Sequence, residues 1–122
     1  MKINELASKT ELSTHTIRFY EKEGLLDERH VIRTTNNYRE YNDDALERLK
    51  LIKKFQGIDC SLTEIKRILH DKENNLSSDK DVAKWIQHKI KDVEVKKREY
   101  DQMLLTLGKM LKYRTRKNKS HT

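Results

Sequence analysis

The sequence predicts a mainly α-helical chain: a small helical head carrying a two-strand wing, then one long helix that pairs with a partner helix. Three observations carry this. The 122 residues include no proline, three glycines and only two phenylalanines, which favours helices over an extensive sheet. Four helix starts share one design in the first half: an apolar residue, a polar cap, and a place for an apolar staple five positions after the first. From Asp79 onward the apolar residues settle into a seven-residue repeat.

Ile3 and Asn4 open the first helix, whose apolar face begins with Leu6 and Ala7, although Ser8 stands where its staple partner belongs. A polar gap from Lys9 to Leu12 leads to the second helix. There Ser13 is the cap and Ile17 staples back to Leu12, because a side-chain oxygen satisfies an orphan amide while the staple fixes the entry angle. Gly24 ends this helix, since a left-handed residue costs glycine little. Two short helices in tight succession read as a helix-turn-helix.

Val31 to Thr34 and Tyr38 to Tyr41 are short runs of strand-forming residues. Thr35-Asn36-Asn37 joins them, and asparagine tolerates the positive φ of a hairpin turn, which gives the wing. Tyr41 and Asn42 open a third helix with Leu46 as staple and Asp43 and Asp44 at its positive end. Cys60 and Ser61 open a fourth, with Ile65 as staple and Glu64 completing a capping box. These helices are expected over about 42–56 and 61–70, separated by Gly57.

In the last segment Ile86, Ile90, Val93, Tyr100, Leu104, Leu107 and Leu111 fall at alternating steps of four and three, with Lys97 filling the one missing place. That is the seam of a coiled coil, and Val82, four before Ile86, marks a slip of register at its start. A helix from Val82 to Leu111 would be ~45 Å long at ~1.5 Å per residue. Its other faces are too polar for it to fold alone, so it needs a partner, most simply its own copy. Residues 1–71 thus form the head, 72–113 a linker and dimerisation helix, and 114–122 a basic tail expected to be disordered.

Composition excludes several classes. The longest apolar run is Met103 to Leu105, too short to span a bilayer, and no secretory signal or membrane partner is expected. A single cysteine cannot build a disulfide framework or a zinc site of paired thiolates, and a reducing, cytoplasmic location fits. The five histidines lack metal-ligand spacing; His88 has only Lys84 and Asp92 one turn away. With no paired acids, glycine-rich phosphate loop or nucleophile–base set, neither an enzyme nor a cofactor site is expected. The net charge of +7 is uneven. Residues 1–71 hold 13 basic and 13 acidic side chains, so the whole excess lies after them, much of it in Lys112, Arg114, Arg116, Lys117 and Lys119. Net charge therefore does not by itself establish a nucleic-acid partner.

Particular motifs do more. The stretch Leu12-Ser-Thr-His-Thr-Ile-Arg-Phe-Tyr-Glu-Lys-Glu-Gly-Leu-Leu26 resembles the recognition-helix signature of the MerR family of bacterial transcription regulators. Asn37-Tyr-Arg-Glu-Tyr41 is similar to that family's wing, with asparagine at its usual glycine. Asp44 to Ile52 and Ser61 to Lys66 resemble its third and fourth helices, and the long helix occupies the place of its antiparallel dimerisation helix. The resemblance runs from about Ile3 to Leu111. It implies a homodimeric, sequence-specific regulator that binds duplex DNA at a pseudo-palindromic promoter operator and distorts it. RNA polymerase would then be engaged indirectly, through the promoter.

Metal-sensing members carry a cysteine or serine just before the dimerisation helix and paired cysteines after it. Here Asp79 holds the first position and no cysteine follows. A ligand between coil and heads, oxidant sensing at Cys60 and effector-free repression all stay open. For Cys60 the position before a cap favours a buried structural thiol over a reactive one.

On this architecture Thr14, His15 and Arg18 lie on one outward face at the start of the second helix, where base edges are read. Arg18 can bridge guanine or pair with phosphate; its bland alternative is a surface ion pair to Glu21 or Glu11. Thr16 is a further short-range donor. Tyr38 and Arg39 suit phosphate contact, with core packing and a solvated charge as their alternatives. Tyr41 is read as core, Arg33 and Lys66 are weaker DNA-binding candidates, and Tyr20 is counted with the DNA-binding residues as an anchor for the backbone of the recognition helix. Trp85 and Ile86 are read as packing against the partner's head. The competing function class is a coiled-coil adaptor whose head binds protein instead of DNA, motivated by the balanced charge of residues 1–71.

Overall fold

Local caps set most of the helix boundaries. The computed structural model describes residues 1–36 and 38–120, with the side chains of 119 and 120 left aside. In chain order the elements are α1 (Ile3–Thr10), α2 (Thr14–Lys22), β1 (Val31–Arg33), β2 (Arg39–Tyr41), α3 (Asp43–Gly57), α4 (Leu62–Glu73) and α5 (Asp79–Ser120). Ser13 accepts from the Thr16 amide, Asn42 from the Ala45 amide, and Ser61 and Glu64 form the reciprocal capping box. Gly24 lies just past α2 at φ +82°.

The first helix departs from its expected cap. It begins at Ile3, its N-cap Lys2 offers no side-chain bond, and Asn4 lies inside the first turn. A tertiary contact fixes this start instead: the Tyr41 amide donates to the Met1 carbonyl at 2.6 Å and the Met1 amine donates to the Tyr41 carbonyl at 2.6 Å. The helix ends on Glu11, held left-handed at φ 57° while the Leu12 amide closes onto the Ala7 carbonyl.

The wing is an antiparallel pair with Val31 opposite Tyr41, Ile32 opposite Glu40 and Arg33 opposite Arg39. The expected turn residue Asn37 lies outside the described residues. Leu6, Ile17, Leu26, Tyr41, Leu49, Ile52 and Ile65 are essentially inaccessible and form one core drawn from α1, α2, the wing, α3 and α4. Each such side chain contributes about 1.5–3 kcal/mol relative to an exposed one.

A polar network holds the exit of α2. Arg48 donates to the Leu25 carbonyl at 3.1 Å and pairs with Glu73, which Arg29 also meets at 3.4 Å. Burial works against the Glu73 charge, but Arg48 and Arg29 outweigh it and keep the carboxyl below its ordinary range. Arg29 likewise holds Asp27 far below the usual carboxylate range.

His30 is buried beside this network, and its Nδ1 accepts from the Asp27 amide at 3.1 Å. Burial pushes the imidazole below its ordinary value although Asp27 pulls the other way. The folded head thus favours the neutral ring.

The chain divides into two units after Asn74. The second is dominated by α5, which has 42 residues and spans ~63 Å. It starts earlier than the apolar pattern suggests because Ser78 and Asp81 cap it reciprocally, each amide donating to the other's side chain at 3.2 Å. It also runs to Ser120, through the segment expected to be a disordered tail. No glycine or proline interrupts that stretch, and its cations suit the negative end of a helix. The seam residues Ile86, Ile90, Val93, Tyr100, Leu104, Leu107 and Leu111 are all exposed in the single chain, from 47% at Ile86 to 69% at Leu111.

The stabilisation from neutral His30 is fully present above the unfolded pKa of about 6.5 and is lost as pH falls through it towards the lower folded value. Thermal melts between about pH 7.5 and 5.5 are expected to show a larger loss of Tm for the wild type than for His30→Gln.

Candidate nucleic-acid interface

The cap on Ser13 and the staple of Ile17 fix which face of α2 turns inward. Ile17 and Tyr20 are buried, while His15, Arg18, Phe19 and Lys22 are exposed along the opposite face. Thr14 is half-buried at the helix start. Thr16 is also half-buried, and its hydroxyl lies 2.8 Å from that of Ser13, so it serves the cap. Arg18 forms no ion pair among the described residues: Glu21 pairs with Arg39 at 3.2 Å and Glu11 lies 3.9 Å from Lys53.

The wing and the first residues of the chain complete a groove beside this helix. Its volume is about 470 Å³, and Lys2, Ile3, Asn4, Arg18, Arg33, Tyr38, Arg39 and Tyr41 line it. Four cations from three separate segments thus face one concavity. Tyr38 is 62% exposed at its rim, with the Lys2 ammonium 5.2 Å from the ring centroid. Tyr41 is in the core; its hydroxyl donates to Glu21 at 3.2 Å, and burial, with Glu21 alongside, raises its pKa. Glu21 therefore steers both Tyr41 and Arg39, and Arg39 enters the groove as an oriented side chain. Multiple cations on a concave wall focus a positive potential, and guanidinium, ammonium and phenol groups all donate to phosphate oxygens.

Two of the residues expected at this interface lie outside it. Tyr20 is 3% exposed and its hydroxyl accepts from Gln56, so it holds α2 to α3 and offers nothing outward. Lys66 donates to Glu23 at 2.9 Å, which ties α4 to the end of α2 and keeps the Glu23 carboxyl below its ordinary value. Both partners are distant along the chain, so no local pattern of residues reveals them.

Three residues join the candidates. Phe19 and Lys22 sit four positions after His15 and Arg18, a helical spacing that assigns them to the same face. Lys2 carries no local signal. Only the pairing of Met1 with Tyr41 brings it beside the wing.

Residues 1–72 match the family described as MerR HTH family regulatory protein, and residues 46–110 the one described as MerR, DNA binding. The chain is 34% identical over 93 residues to the HTH-type transcriptional regulator ZntR homolog of Haemophilus influenzae, covering 76% of this chain and 67% of that protein. It is 34% identical over 95 residues to the mercuric resistance operon regulatory protein of Bacillus cereus, covering 78% and 70%. Among solved structures it resembles the regulator PbrR691 from Ralstonia metallidurans CH34 in complex with lead(II), with TM-score 0.70, 31% identity, and coverage of 88% and 82%. It also resembles HiNmlR, a family regulator lacking the sensor domain and bound to promoter DNA, with TM-score 0.62, 27% identity, and coverage of 85% and 77%.

Lys2→Ala and Arg33→Ala are each expected to weaken binding to duplex DNA about equally for all sequences and to reduce the log–log salt slope by about 1. Lys66→Ala, whose ammonium is engaged by Glu23, should leave that slope unchanged. Anisotropy titrations at several salt concentrations measure both.

Proposed function

Because the chain belongs to the MerR family of DNA-binding transcriptional regulators, we propose that it acts as a homodimer reading the two halves of a pseudo-palindromic promoter operator. Each α2 presents His15, Arg18, Phe19 and Lys22 to a major groove, with Thr14 at its leading edge. Arg18 is suited to the paired acceptors of guanine, and a phenyl ring such as Phe19 to thymine methyl groups. Lys2, Arg33, Tyr38 and Arg39 hold flanking phosphates and set the angle of the helix. Two heads joined by one coil bend and untwist the operator between them, an energy that contacts at both ends must offset. RNA polymerase responds to the reshaped promoter, and the regulator works in the cytoplasm with the chromosome.

The observation that carries this reading is the convergence of Lys2, Arg18, Arg33 and Arg39 on one groove, in a head whose residues 1–71 carry as many acids as bases in total. One relative is named for mercuric resistance and one solved neighbour is in complex with lead(II), but this chain has one cysteine, buried before α4, so it offers no pair of thiolates of its own.

A footprint on the promoter upstream of its own reading frame should show a symmetric protected site. Arg18→Ala should raise the protein concentration needed for protection by about 10- to 100-fold, the loss expected for one good base contact of about 1–3 kcal/mol. Undiminished protection by that variant would remove α2 from the interface. Binding that ignores salt would favour a protein-binding head instead.

A further inference from the structure

The seam of α5 is self-complementary in one antiparallel register, and we propose that Lys97 selects that register. This rests on the homodimer reading above. Antiparallel helices pair positions equidistant from a centre, and the eight seam positions are symmetric about the point midway between Arg98 and Glu99. About that point Ile86 meets Leu111 of the partner subunit, Ile90 meets Leu107 of the partner subunit, and Val93 meets Leu104 of the partner subunit. The central layer sets Lys97 against the partner's Tyr100. Every exposed aliphatic seam residue from 86 to 111 then finds an aliphatic partner.

The polar layer fits only there. Lys97 opposite the partner's Tyr100 lays its stem on a ring whose hydroxyl can accept from the ammonium, and Glu94 and Asp101 on its own helix flank the same side at i−3 and i+4. Shifting one helix by seven residues in one direction sets Lys97 against Leu107 of the partner subunit and leaves Ile90 facing the partner's Arg114. A shift the other way sets Lys97 against the partner's Val93 and Leu111 against the partner's Asp79. Both slips desolvate an ammonium against aliphatic carbon, the device by which a lone lysine in a seam specifies register.

Register matters to the proposed function through length. A seven-residue slip moves the N-terminal ends of the two α5 helices by about 10 Å, close to three base-pair steps of ~3.4 Å. The seam is thus a ruler for the spacing of half-sites.

Spin labels read it directly. His88 and Lys109 lie on the same outer strip of α5, each equally far from the centre. In a Cys60→Ala background of the full chain, His88→Cys and Lys109→Cys are labelled separately and the distance between the two copies is measured by pulsed dipolar spectroscopy. The proposed register gives equal distances, each with an axial part of about 32 Å. A heptad slip makes them unequal, with axial parts of about 42 and 21 Å, and a parallel pair gives almost none for either; both results overturn the register. Loss of any dipolar signal would instead remove the homodimer itself. Adding Lys97→Leu should split each distance into more than one population, and a single unchanged distance would overturn the role of Lys97.

Discussion

The head is organised around Tyr41. Its ring is buried in the core, its backbone pairs with Met1 in both directions, and its hydroxyl donates to Glu21 on α2. It closes β2 and stands just before the Asn42 cap of α3. One residue therefore couples the chain entry, the wing, α2 and α3. The groove that gathers the cations exists because these four segments meet there, and loosening any of them would separate Lys2 from Arg18 and Arg33.

That arrangement resolves an apparent conflict in the charge. A head with as many acids as bases has no general attraction for a polyanion, and its sequence average suggests none. Folding sorts the charges. Glu23 is taken up by Lys66, Glu73 by Arg48 and Arg29, and Asp27 by Arg29, and none of these residues lines the groove. Exposed pairs of this kind add little stability individually, but they remove acids from the field in front of the groove. What a DNA backbone would meet is the local excess, not the total.

The same contrast explains how much of the molecule is legible in the sequence. Caps, staples and the hairpin are local: Ser13, Asn42 and Ser61 act on amides three residues away, so their spacing announces them. The apolar strip of α5 is periodic and equally plain. Tyr20 and Lys66 are not legible, because their partners, Gln56 and Glu23, lie 36 and 43 positions away. Lys2 is invisible for the same reason. The start of α1 escapes because a tertiary contact replaces a cap. At the other end, basic composition suggests disorder where helix-forming residues without a breaker continue α5 to Ser120.

The two units draw stability from different sources, and this shapes how such a molecule can act. Residues 1–74 carry a core of their own, so the head's fold does not depend on concentration. The apolar strip of α5 is exposed in the single chain, and in the proposed dimer its burial would follow mass action between copies. On the proposed reading a single head would supply one short recognition helix and a few phosphate contacts, too little to compete with the excess of nonspecific DNA. Joining two heads makes the second half-site encounter intramolecular, at an effective concentration fixed by the coil. In the proposed dimer that gain would be available only at half-sites whose separation matches the register of the coil. Selectivity then comes as much from the length of the support as from the residues that face the bases.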